Sequence, residues 1–93
     1  MARIRAVQAR VMGQVQGVAY RAWTRGTAET LGLRGWVRNE PNGSVSALLI
    51  GPQDKIDDMI ARMWDGPGAA SVRDVERHPE TVVDGFEPFE IHR

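Results

Sequence analysis

The sequence predicts a single small domain of the α/β class, more narrowly α+β, in which two helices alternate with the strands of one sheet. Three observations lead to this prediction. The chain has 93 residues, of which 42% are hydrophobic and 26% charged, as is ordinary for a domain with one core. Hydrophobic patterns of strand and helix period alternate along the chain. The pair Asn42-Gly43 lies between two apolar alternations, which is a strong hairpin signal.

The first strand and the first helix are separated by a loop that contains glycine. Alternating apolar residues predict a strand over residues 4–12 that ends at Gly13. A helix is predicted over residues 21–31, with Gly32 as its C-terminal cap. Its apolar face recurs at helical spacing in Tyr20, Thr24, Ala28 and Leu31. The loop between the two elements then covers residues 14–20.

A hairpin and a second helix follow. Residues 34–39 and 45–50 predict its two strands, and Gly51-Pro52 ends the second of them. Pro52 is expected to open the helix. Its apolar stripe falls at positions i, i+3, i+4, i+7 and i+8: Ile56, Met59, Ile60, Met63 and Trp64. The segment Gly66-Pro67-Gly68 stops this helix.

The last part of the chain completes a recognised order of elements. A weaker alternation over residues 72–77 predicts a fourth strand, residues 81–85 a connection, and residues 86–91 a short terminal strand. Strand, helix, hairpin, helix and strand make the βαββαβ order of the ferredoxin-like fold. We therefore expect an antiparallel sheet of four to five strands with two helices on one face, formed as one domain from residue 1 to residue 93.

Composition excludes several kinds of site and location. The chain has no cysteine, which excludes disulfides, thiolate metal sites and thiol nucleophiles. The first residues alternate charged and apolar side chains, unlike a signal peptide. The longest apolar stretch, residues 47–50, is far too short to span a bilayer. These observations predict a cytoplasmic protein that does not enter a membrane.

The net charge is zero but unevenly distributed. Residues 1–39 hold seven arginines and one glutamate, a net charge of +6, whereas residues 40–93 hold five basic and eleven acidic side chains, a net charge of −6. Either the two halves pack together and compensate, or the first half presents a positive field to a small anion. A nucleic-acid-binding domain usually has a net basic balance, so no nucleic-acid partner is expected.

The loop before Arg21 has the features of an anion site. Loop N–H groups and the positive end of a helix converge at a junction of this kind. The guanidinium of Arg21 adds a planar fork of donors that suits a phosphate. The alternative is a plain connecting loop with a surface arginine. Cysteine phosphatases carry their nucleophile six residues before the arginine, where this chain has Val15, so water is the expected nucleophile.

Asn39, at the end of the second predicted strand, is the candidate for holding that water. Its amide can accept a hydrogen bond from water and donate one to phosphate, but it cannot act as a base. The alternative is that Asn39 is an ordinary turn-forming residue, since asparagine is common before turns.

These two segments closely resemble the signatures of the acylphosphatase family. Residues 11–21, Val-Met-Gly-Gln-Val-Gln-Gly-Val-Ala-Tyr-Arg, match the first signature. Residues 35–39, Gly-Trp-Val-Arg-Asn, match the second, and Gly43, Val45 and Gly51 follow at its internal spacings. One departure is Tyr20, where the family usually has phenylalanine. It is expected to add a hydroxyl beside the site.

The resemblance implies hydrolysis of acyl phosphates to carboxylate and phosphate, without a metal or a cofactor. It implies that Arg21 binds the phosphate and that Asn39 orients the attacking water. The backbone cradle around the phosphate would be the loop Gln14, Val15, Gln16, Gly17, Val18, Ala19 and Tyr20. With a single small-molecule substrate, a monomer is expected.

The residue types support a preference for good leaving groups. A carboxylate has a conjugate-acid pKa of roughly 4, so it departs without a general acid, whereas an alkoxide normally needs one. Neither signature contains His, Asp or Glu in an obvious catalytic role. The sequence therefore favours acyl phosphates over phosphate monoesters.

Two other functions are alternatives for a chain with this sequence. The segment Arg34-Gly35-Trp36 is similar to the start of an RNA-binding motif of βαββαβ domains, but Val37 and Asn39 break its aromatic pattern. An inactive relative that only senses small anions is the second, against which the presence of both Arg21 and Asn39 counts.

Overall fold

A computed structural model describes residues 3–93 as a five-stranded sheet with two helices. The elements, in chain order, are β1 (Ile4–Gln14), α1 (Tyr20–Thr30), β2 (Arg34–Asn39), β3 (Val45–Pro52), α2 (Gln53–Asp65), β4 (Ser71–Glu80) and β5 (Glu90–Ile91). This order agrees with the βαββαβ prediction and its extra terminal strand.

The strands lie in the order β4-β1-β3-β2-β5. The four long strands pair antiparallel, as expected. The short strand β5 instead pairs parallel to β2, so the sheet is mixed, which corrects the expectation of a wholly antiparallel sheet. The reason is topological. Because β4 already runs opposite to β2, a chain that leaves β4 and reverses direction once must run parallel to β2.

Both helices cover the same face of the sheet. Alternate residues of β1 and β3 point toward them and are buried, namely Val7, Ala9, Val11, Val45, Ala47 and Leu49. The helices contribute the opposing apolar side chains, namely Tyr20, Ala28, Ile56, Met59, Ile60 and Met63. Apolar side chains spaced by two residues along the strands and by about 3.6 residues along the helices therefore pack into one core.

The ends of several elements differ from the sequence predictions. Pro52 has φ −61° and ψ 144°, which is extended, so it ends β3 and α2 begins one residue later. The predicted terminal strand is reduced to its last two residues, Glu90–Ile91, and Phe86, its predicted first residue, has a positive φ of 59° that is not a strand conformation. Phe86 packs instead against Leu48 and Ile50 on the face of the sheet away from the helices. Trp64, expected at the core, is 47% exposed.

Within residues 3–93, no helix is long and apolar enough to cross a membrane.

Candidate active site

The loop between β1 and α1 has an unusual backbone at two positions. Gly17 has φ 76° and Ala19 has φ 62°, both in the left-handed region. Glycine adopts this conformation readily, whereas alanine pays roughly 1–2 kcal/mol for it. An alternation of positive and negative φ turns successive N–H groups toward one side of the chain, which is how backbone anion sites are built.

The loop leads directly into the N-terminus of α1, whose cap residue is Ala19. Among the described residues, no side chain caps this helix end, and no acidic residue lies in its first turn. The first N–H groups of a helix have no partner within the helix, and the helix dipole makes this end positive. An anion at this end of α1 would therefore be stabilised by both effects.

Arg21 lies in the first turn of α1 and is held by the last residues of the chain. Its Nη1 atom donates a hydrogen bond of 3.2 Å to the backbone carbonyl of His92. The backbone N–H of His92 in turn donates to the carbonyl of Val37, at 2.8 Å. The segment after β5 is thus fixed to β2, and it fixes the guanidinium. Since a guanidinium carries five N–H donors, this bond leaves donors for a bound anion.

Asn39 is the last residue of β2, and it pairs with Val45 of β3. It lies two residues after Val37, which is fully buried beneath the helices. Because side chains of a strand alternate between faces, Asn39 lies on the same face of the sheet as α1. This explains how Arg21 and Asn39, which are 18 positions apart in the sequence, come to lie at one site.

The loop, α1, β2 and the C-terminal segment enclose an open cleft of about 790 Å³. The residues that line it are Val15, Gly17, Ala19, Tyr20, Arg21, Ala22, Asn39, Ile91 and Arg93. Arg21 and Arg93 are the charged residues among them, so the cleft carries positive charge that favours an anion. The cleft brings together both candidate catalytic residues and four residues of the predicted loop.

Three residues of the predicted loop lie outside the lining. Gln14 belongs to β1, where it pairs with Ser71 of β4. Val18 packs against the core, so its side chain anchors the loop. Gln16 sends its side chain to the hairpin between β2 and β3, where Nε2 donates to two backbone carbonyls.

Tyr20 is among the residues that line the cleft, but its hydroxyl forms its hydrogen bond with α2. The hydroxyl donates a hydrogen bond of 2.7 Å to the backbone carbonyl of Met63 in α2. That carbonyl is an orphan of the helix end, because position i+4 is Pro67, which has no N–H. Burial raises the pKa of the Tyr20 phenol well above its ordinary value, which keeps it protonated as a donor. The expectation of a hydroxyl beside the site is therefore wrong.

The sequence reasoning missed Ala22, Ile91 and Arg93 as lining residues. Ala22 follows Arg21 in α1 and carried no chemical signal of its own. Ile91 and Arg93 reach the cleft only because β5 pairs with β2. No local pattern near the C-terminus predicts that pairing.

Comparison with known proteins gives consistent results along nearly the whole chain. The family profile described as acylphosphatase matches residues 7–91. A protein of Sinorhizobium medicae named acylphosphatase is 47% identical over 89 residues, which cover 96% of this chain and 95% of that protein. A protein of Mesorhizobium japonicum with the same name is 60% identical over 74 residues, which cover 80% of this chain and 79% of that protein.

The fold of this chain also agrees with that of a solved structure. The solved structure of an acylphosphatase from Coxiella burnetii superposes with a TM-score of 0.89 at 34% identity, covering 96% of this chain and 93% of that one. The resemblance predicted from the two sequence signatures and the ferredoxin-like arrangement are both confirmed.

Proposed function

The chain belongs to the acylphosphatase family, and on this premise we propose that it hydrolyses the carboxyl–phosphate bond of acyl phosphates without a metal or cofactor. The observation that carries the proposal is the cleft that holds both Arg21 and Asn39 beside the uncapped end of α1. In this reaction an acyl phosphate dianion and water give a carboxylate and dihydrogen phosphate, so the phosphate carries away both protons of the water.

The phosphate group is held by charge and by backbone donors. The N–H groups of the loop and of the first turn of α1 surround one side of it, and Arg21 donates from the other. Negative charge at the phosphate oxygens is stabilised by donors that are already fixed in place, because Arg21 is bonded to His92. Preorganised donors of this kind need no reorganisation during the reaction.

Asn39 places the attacking water. Its side-chain oxygen accepts a hydrogen bond from the water, and its NH₂ group donates to a phosphate oxygen. The amide remains neutral throughout, so its role is to align the water with the phosphorus rather than to remove a proton. Positioning and electrostatic stabilisation are the main contributions that proteins make to phosphoryl transfer.

The leaving group determines which substrates suit this site. A carboxylate departs without protonation, because its conjugate acid has a pKa of roughly 4. Among the residues that line the cleft within the described chain, none is His, Asp or Glu, so an alkoxide would have no neighbouring general acid. We expect acyl phosphates to be cleaved far faster than phosphate monoesters.

A direct assay tests the proposal. Purified protein in buffer with EDTA should release phosphate from benzoyl phosphate and acetyl phosphate, while p-nitrophenyl phosphate is cleaved far more slowly. Activity that is lost in EDTA and restored by a divalent cation would contradict the metal-free reaction. Equal rates on the anhydride and the monoester would contradict the argument from the leaving group.

Assembly and location are proposals of the same kind. A monomer stays a prediction from the single small-molecule substrate, and size-exclusion chromatography with light scattering would test it. A cytoplasmic location stays a prediction from the sequence, to be tested by cell fractionation.

A further inference from the structure

Gln16 makes a connection that neither the core nor the sheet requires. Its Nε2 atom donates hydrogen bonds of 2.8 Å to the carbonyl of Glu40 and 2.9 Å to the carbonyl of Ser44. These partners lie 24 and 28 residues further along the chain. A side-chain amide has two N–H donors, and both donate here to backbone carbonyl oxygens, which have no hydrogen to donate.

The two acceptors lie at a fixed point of the hairpin between β2 and β3. The N–H of Glu40 donates to the carbonyl of Ser44 at 2.8 Å, and the N–H of Gly43 donates to the carbonyl of Glu40 at 3.1 Å. The turn is closed further by Asn42, whose Oδ1 accepts from the backbone N–H of Ser44 at 3.0 Å. Gln16 is therefore bonded to a rigid support rather than to a mobile loop.

This support adjoins Asn39. Glu40 follows Asn39 directly in the chain, and Asn39 is itself paired with Val45 at the base of the same hairpin. On the other side, Gln16 precedes Gly17 in the loop that forms one wall of the cleft. The amide of Gln16 thus joins the wall beside the phosphate position to the hairpin beside the water position.

From this arrangement we infer that Gln16 is a positioning residue, which fixes the loop of residues 15–19 against the hairpin that carries Asn39. The inference rests on the proposed function for its effect on catalysis. The attacking water and the phosphorus are held by different elements, so their separation depends on how these elements are fastened together. A misplacement of about 1 Å between reacting groups can cost roughly a hundredfold in rate.

The side chain is suited to this task by its chemistry. Gln16 is exposed, so its removal leaves no cavity in the core, and its neighbours Val15 and Val18 keep the loop anchored. Gln16→Met keeps the length and approximate volume but has no donor. Gln16→Glu keeps the shape and turns an ionised carboxylate toward two carbonyl oxygens. Both variants should fold, and both should release the loop from the hairpin.

The kinetic test compares these variants with wild type on benzoyl phosphate. We expect kcat to fall roughly tenfold to a hundredfold in both, with a much smaller change in the inhibition constant of inorganic phosphate. The matched control is Gln53→Met, which removes another exposed glutamine amide, bonded to Asp57 at 2.9 Å in α2. Its kcat should equal that of wild type. If Gln16→Met also has a wild-type kcat, the inference is overturned.

A double-mutant cycle separates positioning from general loosening. If Gln16 acts through the alignment of Asn39, then Gln16→Met should lower kcat less in an Asn39→Ala background than in wild type. Fully additive losses would overturn the inference.

Amide hydrogen exchange tests the fastening without any turnover. Gln16→Met should speed exchange at Gly43, whose N–H donates to the carbonyl of Glu40, and at Trp23, whose N–H donates to the carbonyl of Ala19 in the loop. This comparison is with both wild type and Gln53→Met, and the core strands should stay protected. Unchanged exchange at both positions would overturn the inference. If the wild-type protein does not hydrolyse benzoyl phosphate, the proposed function fails, and the exchange measurement still decides whether Gln16 fastens the loop.

Discussion

Nη1 of Arg21 donates a hydrogen bond of 3.2 Å to the backbone carbonyl of His92, which lies 71 residues later in the chain. Arg21 thus lines the cleft, and its guanidinium also holds the segment after β5 through this hydrogen bond. A planar fork with five donors can serve a carbonyl and a phosphate together, whereas a single ammonium group cannot match this geometry.

The first prediction concerns substitutions of Arg21. Arg21→Gln should lower kcat/KM by roughly a hundredfold or more, because charge and donors are lost in both the ground state and the transition state. Arg21→Lys keeps the charge but loses the bidentate fork, and should still lose at least about tenfold. Steady-state kinetics on benzoyl phosphate, together with phosphate inhibition constants, would measure both effects.

A matched control lies one turn along the same helix. Arg25 forms an exposed ion pair with Glu29 at 4.0 Å and does not line the cleft. Arg25→Gln changes the net charge by the same amount, so it corrects for the general loss of positive field. If it lowers kcat/KM as strongly as Arg21→Gln, the assignment of Arg21 to the phosphate is wrong.

The second prediction is that Asn39 affects the chemical step more than binding. Asn39→Ala should lower kcat by roughly a hundredfold, with phosphate affinity largely kept, because the proposed contact of the amide is with the attacking water. Asn39→Asp keeps the turn-forming shape but loses the NH₂ donor, and it should also be slow. Thermal unfolding of both variants would show whether the hairpin is intact. A folded Asn39→Ala protein with near-normal kcat would mean that another group places the water.

The third prediction is that inorganic phosphate and sulfate inhibit competitively. Both anions match the fixed N–H donors of the loop and the guanidinium of Arg21. Titration followed by amide NMR shifts should move the signals of Gly17, Ala19 and Arg21 first, with half-saturation at a concentration equal to the kinetic inhibition constant. Shifts confined to a different surface, with none in this loop, would place the anion elsewhere.

The sequence predicted the fold and much of the candidate site because their signals are local. Asn42-Gly43 marked the hairpin, and the alternation of strand and helix periods gave the order of elements. The parallel pairing of β5, by contrast, depends on contacts across the whole sheet. For this reason Ile91 and Arg93 escaped prediction, and so did the bond from Arg21 to His92.

The direction of the Tyr20 side chain also could not be predicted from the neighbouring sequence. Because Tyr20 stands where the family usually has phenylalanine, the sequence predicts an additional hydroxyl beside the site. The hydroxyl instead donates to the carbonyl of Met63. That carbonyl lacks a partner within the helix, because Pro67 has no N–H. A Cβ on Gly66 would lie 2.7 Å from Cε2 of the Tyr20 ring, so the end of α2 also provides the space for it.

The fourth prediction follows from that bond and concerns stability. Tyr20→Phe removes the donor and leaves the buried carbonyl of Met63 unsatisfied, which should lower the free energy of unfolding by about 1–3 kcal/mol at neutral pH. For a domain of this size, each 1 kcal/mol shifts Tm by roughly 4–8 °C. Differential scanning calorimetry would measure the change, and an unchanged Tm would show that the hydroxyl contributes no net stability.

The hydrogen bond from Tyr20 to Met63 also predicts how the difference in unfolding free energy between wild type and Tyr20→Phe depends on pH. Burial raises the pKa of the folded phenol above its ordinary value near 10, so only the unfolded chain loses this proton as the pH first passes that value. The contribution of the protonated phenol is therefore complete below about pH 10 and declines above it, and the gap in unfolding free energy between wild type and Tyr20→Phe should narrow there. Tyr20 is the one tyrosine in the chain, so the ultraviolet change on phenol ionisation reports this group alone. A folded protein that titrates near pH 10 would contradict the buried, bonded hydroxyl.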